Sequence, residues 1–174
     1  MSLPPPEFSR PVRRDRIGPT TLGQSIAAEE GERVALARRF ALAALDRLEA
    51  DYDLIVEDGG VTARGRVRAV LAQSCVATAE PLAETIDAPF ALRFVEEGAM
   101  AAADELEIDA EELDTIGYDG LIVDMGEAVA QTMALAMDPW PRAPGADQWL
   151  KERGVLSEED AGPFAALKAL KGKD

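Results

Sequence analysis

Two neighbouring segments that both alternate constrain this 174-residue chain more than anything else in it. Residues 47–57, RLEADYDLIVE, put Leu48, Ala50, Tyr52, Leu54 and Val56 on one side and Glu49, Asp51 and Asp53 on the other, the period of a half-buried strand. Residues 61–76, VTARGRVRAVLAQSCV, alternate again, with Arg64, Arg66 and Arg68 on one face. Asp58, Gly59 and Gly60 between them are a hairpin signal. With a two-residue Asp58-Gly59 turn, Asp53 faces Arg64, Asp51 faces Arg66 and Glu49 faces Arg68, while Leu54 meets Ala63 and Ala50 meets Val67. A Gly59-Gly60 turn slides the pairs by two and keeps the pattern. Three arginines on one strand face also suit phosphate groups. Because the register offers each an acid, neutralisation of the neighbouring strand is the preferred reading.

The rest of the chain supplies elements to pack against that hairpin. Residues 1–7 are Pro-rich and read as disordered, and FSRPVRRDRI (8–17) as an edge strand or extended arm, since Pro11 excludes a central strand. A helix is expected over 26–42, with Val34, Ala37, Phe40 and Ala41 on its apolar face. A third strand is expected over 84–95, with Ile86, Phe90, Leu92 and Phe94 inward and Pro89 marking a bulge or an edge. Residues 96–120 read as a long acidic loop with a short strand or turn near Leu106–Ile108. DMGE, Asp124 to Glu127, opens a helix that Asp138-Pro139 closes, with Met125, Val129, Met133 and Met137 close together as core rather than as a binding groove.

A Pro-rich loop (138–147) then carries Trp140 and Arg142, residues 148–162 read as a linker, and 163–174 as a short amphipathic helix bearing Phe164, Leu167 and Leu170 beside Lys168 and Lys171. The expectation is an α+β fold: an antiparallel sheet of three to five strands, two main helices and a short C-terminal helix, with one domain over 8–147.

Charge narrows the function. The chain carries 33 acids against 18 bases, a net charge of -15, so its average surface repels nucleic acid. From Glu96 to Glu127 there are 12 acids and no Lys or Arg, whereas Arg10, Arg13, Arg14 and Arg16 crowd the start and Lys168, Lys171 and Lys173 the end. The absence of histidine removes the commonest general base near neutral pH, and no P-loop, GxGxxG, HExxH, EF-hand or Cys/His zinc pattern is present. The one cysteine, Cys75, shares the parity of Val67, Ala69 and Leu71 and reads as a small buried hydrophobe rather than a nucleophile. No enzyme, cofactor or metal is expected. A single cysteine, no secretory signal and no apolar run near the ~20 residues of a membrane span point to the cytoplasm.

Five stretches in this order, EFSRPV, GERVALARRFALAALDRLEA, GRVRAVLAQSCVATAEPL, ALAMDPWPRAPGA and PFAALKALK, resemble the YceD family, the large ribosomal RNA subunit accumulation proteins. The resemblance implies a non-enzymatic factor supporting synthesis, processing or accumulation of large-subunit ribosomal RNA. It also implies a zinc site in members with Cys-x-x-Cys where this chain has Cys75 and Thr78. Residues 138–162 hold no Cys or His, so that site is expected to be absent here. The expected partner is large-subunit ribosomal RNA or a pre-ribosomal particle, reached directly or through a basic ribosomal protein held by the acidic segment 96–127, with no membrane involved. The candidate contacts are Arg10, Arg13, Arg14, Arg16, Arg142, Phe164, Leu167, Lys168 and Lys171. The alternative is an acidic adapter or chaperone for a basic protein, without RNA contact. Nothing in the sequence sets an oligomeric state.

Overall fold

The computed structural model describes residues 6–18, 22–57, 59–96 and 114–155. In it the long hairpin takes the first of the two registers. Strand β3 (Ala44–Glu57) pairs antiparallel with β4 (Gly60–Ser74), Glu57 opposite Gly60, so Glu49 faces Arg68, Asp51 faces Arg66, Asp53 faces Arg64 and Leu54 faces Ala63. Gly59 turns the chain with φ +78°, a conformation that side-chain-bearing residues rarely adopt. The side chains lean off this grid. Arg68 pairs with Glu49 at 2.9 Å and also with Asp51, Arg66 crosses to Asp87, and Arg64 is 3.5 Å from Glu57. The stripe is neutralised inside the sheet, as preferred, and the Glu49–Arg68 pair follows the straight cross-strand geometry.

The hairpin is the centre of a five-stranded sheet of order β2-β3-β4-β5-β6, with β2 at Leu22–Ala27, β5 at Pro81–Glu96 and β6 at Asp114–Tyr118. The connection from β4 to β5 is too short for a parallel crossover. The pairing of β5 with β6 is parallel, so the sheet is mixed rather than wholly antiparallel. Pro89 lies where β5 extends beyond its pairing with β6, which covers Leu92–Glu96, so the edge reading of that proline suits the described residues. A separate two-stranded sheet joins β1 (Pro11–Arg13) to β7 (Ile122–Asp124).

Leu48, Ala50, Tyr52 and Leu54 of β3, Val67, Ala69 and Leu71 of β4, and Ile86, Phe90, Leu92 and Phe94 of β5 are buried in one cluster. Met125, Val129 and Met133 of helix α2 (Met125–Ala136) join them with no exposed surface, which makes the methionine stripe core.

Three expectations need correction. Residues 26–42 are not one helix: Ile26 and Ala27 belong to β2, and α1 spans Glu30–Arg39. A capping box sets its start, in which the Glu29 N–H donates to Glu32 Oε2 at 2.7 Å. Its end is set by Ala41, at φ 53°. The helix buries Leu36 and leaves Val34 48% exposed. Within the expected acidic loop, residues 114–118 form β6, placed by pairing with β5; the turn expected near Leu106–Ile108 lies outside the described residues. Within the expected linker, residues 146–152 form helix α3 (Ala146–Glu152), while the rest of it from 156 and the terminal helix at 163–174 lie outside the described residues, as does most of the N-terminal stretch 1–7.

The chain divides into two compact units. The larger holds the residues up to Gln73 and Ala83–Asp138; the smaller holds Ser74–Leu82 and the residues from Pro139 onward.

Arg47 first, and then Arg68, hold the Glu49 carboxyl down from its usual 4.5 to about 2. A depressed folded-state pKa gives stabilisation that is complete above the unfolded value and lost as pH falls through the folded one. Stability measured by urea unfolding should therefore decline from pH 4.5 towards pH 2. Glu49→Gln should flatten that decline, and an unchanged slope would show that the Glu49 pairs contribute nothing.

Candidate nucleic-acid interface

The four arginines at the start of the chain are sorted by how the arm docks. The Asp124 side chain caps α2, accepting from the N–H groups of Gly126 (3.0 Å) and Glu127 (3.2 Å). The same carboxylate accepts the Arg10 N–H at 2.8 Å and the Ser9 hydroxyl at 2.6 Å. Phe8 is thereby held with no exposed surface, and its carbonyl sits where a Cβ on Gly126 would come within 2.4 Å. Arg10 then turns inward: its guanidinium lies over the Phe8 ring and makes a two-pronged pair with Glu32 at 2.7 and 2.8 Å, also donating to the Ala27 and Ser9 carbonyls. Arg39 of α1 adds a second clamp, reaching Glu7 at 2.9 Å and Glu127 at 2.6 Å.

Of the other three arginines, Arg13 and Arg16 are exposed, while Arg14 is half-buried with its Nε covered. Arg13 pairs with Asp15, both more than 60% exposed, and such a solvent-screened pair yields readily to a phosphate. Arg14 and Arg16 follow on a single 3-10 turn, and the Arg14 N–H donates to the Leu121 carbonyl at 2.9 Å. That bond sets them beside Leu121 and Ile122, which are 70% and 44% exposed. Arg13, Arg14 and Arg16 with these two apolar side chains form a basic-apolar patch of the larger unit. The sequence did not point to Leu121 and Ile122, because a short β7 is invisible without its partner β1.

Arg142 belongs to the smaller unit, where it pairs with Asp147. That unit is built around Cys75, whose sulfur accepts from the N–H groups of Ala143 (3.2 Å) and Thr78 (3.4 Å). Cys75, Ala143 and Ala146 form a buried cluster with Ala77 and Leu82 against it. Thr78 first and the Ala143 N–H next favour the thiolate and bring the pKa to about 7, yet the residue is only 3% exposed. Phe164, Leu167, Lys168 and Lys171 lie outside the described residues.

A zinc ion of the kind the family resemblance implies does not fit here. Thr78 is no thiolate, the chain has no second cysteine and no histidine, and the Cys75 sulfur already accepts two N–H groups. Among the described residues no three His, Cys, Asp or Glu side chains are grouped to hold a metal. A cavity of about 290 Å³ between β6 and α2 is lined in part by Asp119 and Glu127, but Asp119 accepts from Leu121 and Ile122 N–H groups and Glu127 from Arg39. No described helix is long and apolar enough to cross a membrane.

Compared with known proteins, residues 63–171 match the model of the family described as large ribosomal RNA subunit accumulation protein YceD. No curated protein and no solved structure matches.

The two classes of arginine should separate in a variant series. Arg10→Ala should cost about 1–3 kcal/mol of unfolding free energy, because it leaves the Glu32 carboxylate without its two-pronged partner. Arg16→Ala, at an exposed position, should leave stability within roughly 0.5 kcal/mol. Equal losses in urea unfolding would contradict this sorting.

Proposed function

The chain belongs to the YceD family, and from that premise we propose that it is a non-enzymatic factor supporting synthesis, processing or accumulation of large-subunit ribosomal RNA in the cytoplasm. The family match carries the reading. The geometry supports its details. Arg13, Arg14 and Arg16 are the cations of the arm left to meet phosphates, while Arg10 serves the fold. The arginines of β4 are balanced by acids of β3 and β5, so the open sheet face is no phosphate track. With a net charge of -15, such a protein binds RNA through a few local contacts, and its affinity is weak in total, with a salt dependence that grows only with the few phosphates it meets.

The 12 acids between Glu96 and Glu127 favour one further reading, an adapter that holds a basic protein without touching RNA.

Sedimentation of the tagged protein from gently lysed cells on a sucrose gradient separates the two readings. An assembly factor runs with large-subunit precursors, leaves them as salt is raised, and is weakened there by Arg14→Ala/Arg16→Ala. A protein found only at the top of the gradient, bound to a free basic protein, would establish the adapter instead.

A further inference from the structure

In the smaller unit the turn that follows Cys75 lies beside the Pro-rich stretch 139–143. The Val76 N–H donates to the Pro141 carbonyl at 2.9 Å, and the Ala143 N–H donates to the Cys75 sulfur at 3.2 Å. Cys75, Pro141 and Ala143 are turned inward. Their neighbours Val76, Trp140 and Arg142 are exposed. Trp140 is 74% exposed and Val76 is 53% exposed. A tryptophan is among the largest apolar side chains, and Val76, hydrogen-bonded to the adjoining Pro141, adds exposed apolar surface next to it.

We propose that Val76, Trp140 and Arg142 form a stacking platform for an unpaired base of ribosomal RNA, with the Trp140 ring against the base and the Arg142 guanidinium on the adjoining phosphate. This inference rests on the proposed function and names the RNA feature that it reads. Single-stranded RNA offers unstacked bases, and aromatic rings beside arginines are the side chains that take them. Trp140 and Arg142 are two residues apart in the chain, at most about 7 Å between their Cα atoms. That spacing suits a base and its own phosphate.

Local charge permits the contact. The described residues of the smaller unit carry Arg142, Lys151 and Arg153 against Glu80, Asp147 and Glu152, a balance that the strongly acidic chain as a whole does not share. Arg142 is occupied by Asp147, but both are more than half exposed, so a phosphate can take the acid's place. Cys75 serves the platform as its anchor, positioning Trp140 and Arg142 through the backbone.

The test uses the full chain with Trp149→Phe, which leaves Trp140 as the one tryptophan of the two. Titration with a single-stranded oligoadenylate should quench its fluorescence, and a duplex RNA of equal length should not. Trp140→Ala in the otherwise unchanged chain should weaken oligoadenylate binding by about 5- to 150-fold, Trp140→Phe by less, and Arg142→Ala should lower the salt dependence. Circular dichroism checks that each variant folds.

Oligoadenylate binding untouched by Trp140→Ala, or no quenching at all, would overturn the platform. So would quenching by a basic protein such as lysozyme and not by RNA, which would make Trp140 a protein contact. A Trp140→Ala variant that binds oligoadenylate normally and still sediments with large-subunit precursors would remove the platform and leave the proposed function standing. Normal quenching by oligoadenylate in a protein that never meets those precursors would do the reverse.

Discussion

One carboxylate ties the start of the chain to the rest of the larger unit. Asp124 ends β7 and caps α2, and its two oxygens accept both from the first turn of the helix and from Ser9 and Arg10 of the arm. A carboxylate at a helix N-terminus is favoured by the unpaired N–H groups and by the helix dipole, so the anchor is strong on either count. Once it is in place, Phe8 fills the core, Arg10 reaches Glu32 on α1, and β1 pairs with β7. Gly126 is required because the arm's backbone passes where any side chain would stand. Arg13 and Arg16, which follow Arg10, are exposed on a docked segment.

The arrangement of charge follows the same economy. A long antiparallel hairpin exposes one face to water, and this one covers that face with acids of β3 and arginines of β4 that answer each other. Cations of this kind are consumed within the fold. Among the described residues, the cations proposed for a partner lie elsewhere: on the turn after β1, and on the Pro-rich stretch that Cys75 holds. A chain so acidic gains RNA affinity only through such local groups, and a stacking aromatic adds attraction that does not depend on net charge.

How much of this can be read from sequence depends on the range of the interaction. The β3–β4 hairpin is legible to within a two-residue slide, because a two-residue period, complementary charges and a glycine turn suit two registers, of which the Asp58-Gly59 turn is the one taken. The start of α1 is not, because Ile26 and Ala27 suit helix and strand alike; the pairing of β2 with β3 decides, and the Glu29–Glu32 capping box is the local sign of it. Strand β6, the five residues DTIGY, has too little pattern of its own and exists through parallel pairing with β5. The same holds for the site. Four neighbouring arginines look equivalent in sequence, and what removes Arg10 from the set is Glu32, on a helix that folds back from 22 residues away. Trp140 was visible as a residue, but its outward position follows from Pro141 and Ala143 being buried beside Cys75.

The central claim is that the arm turn and the Trp140 loop, not the sheet face, meet large-subunit ribosomal RNA. Ultraviolet cross-linking of the protein on isolated large-subunit precursors, with the adducts mapped by mass spectrometry, tests it most directly. The account predicts RNA adducts on peptides containing Arg13–Arg16 and Trp140–Arg142, and none on the peptides of β3 and β4. Adducts confined to β3 and β4, or an absence of RNA adducts on a protein that is present in the particle, would contradict it.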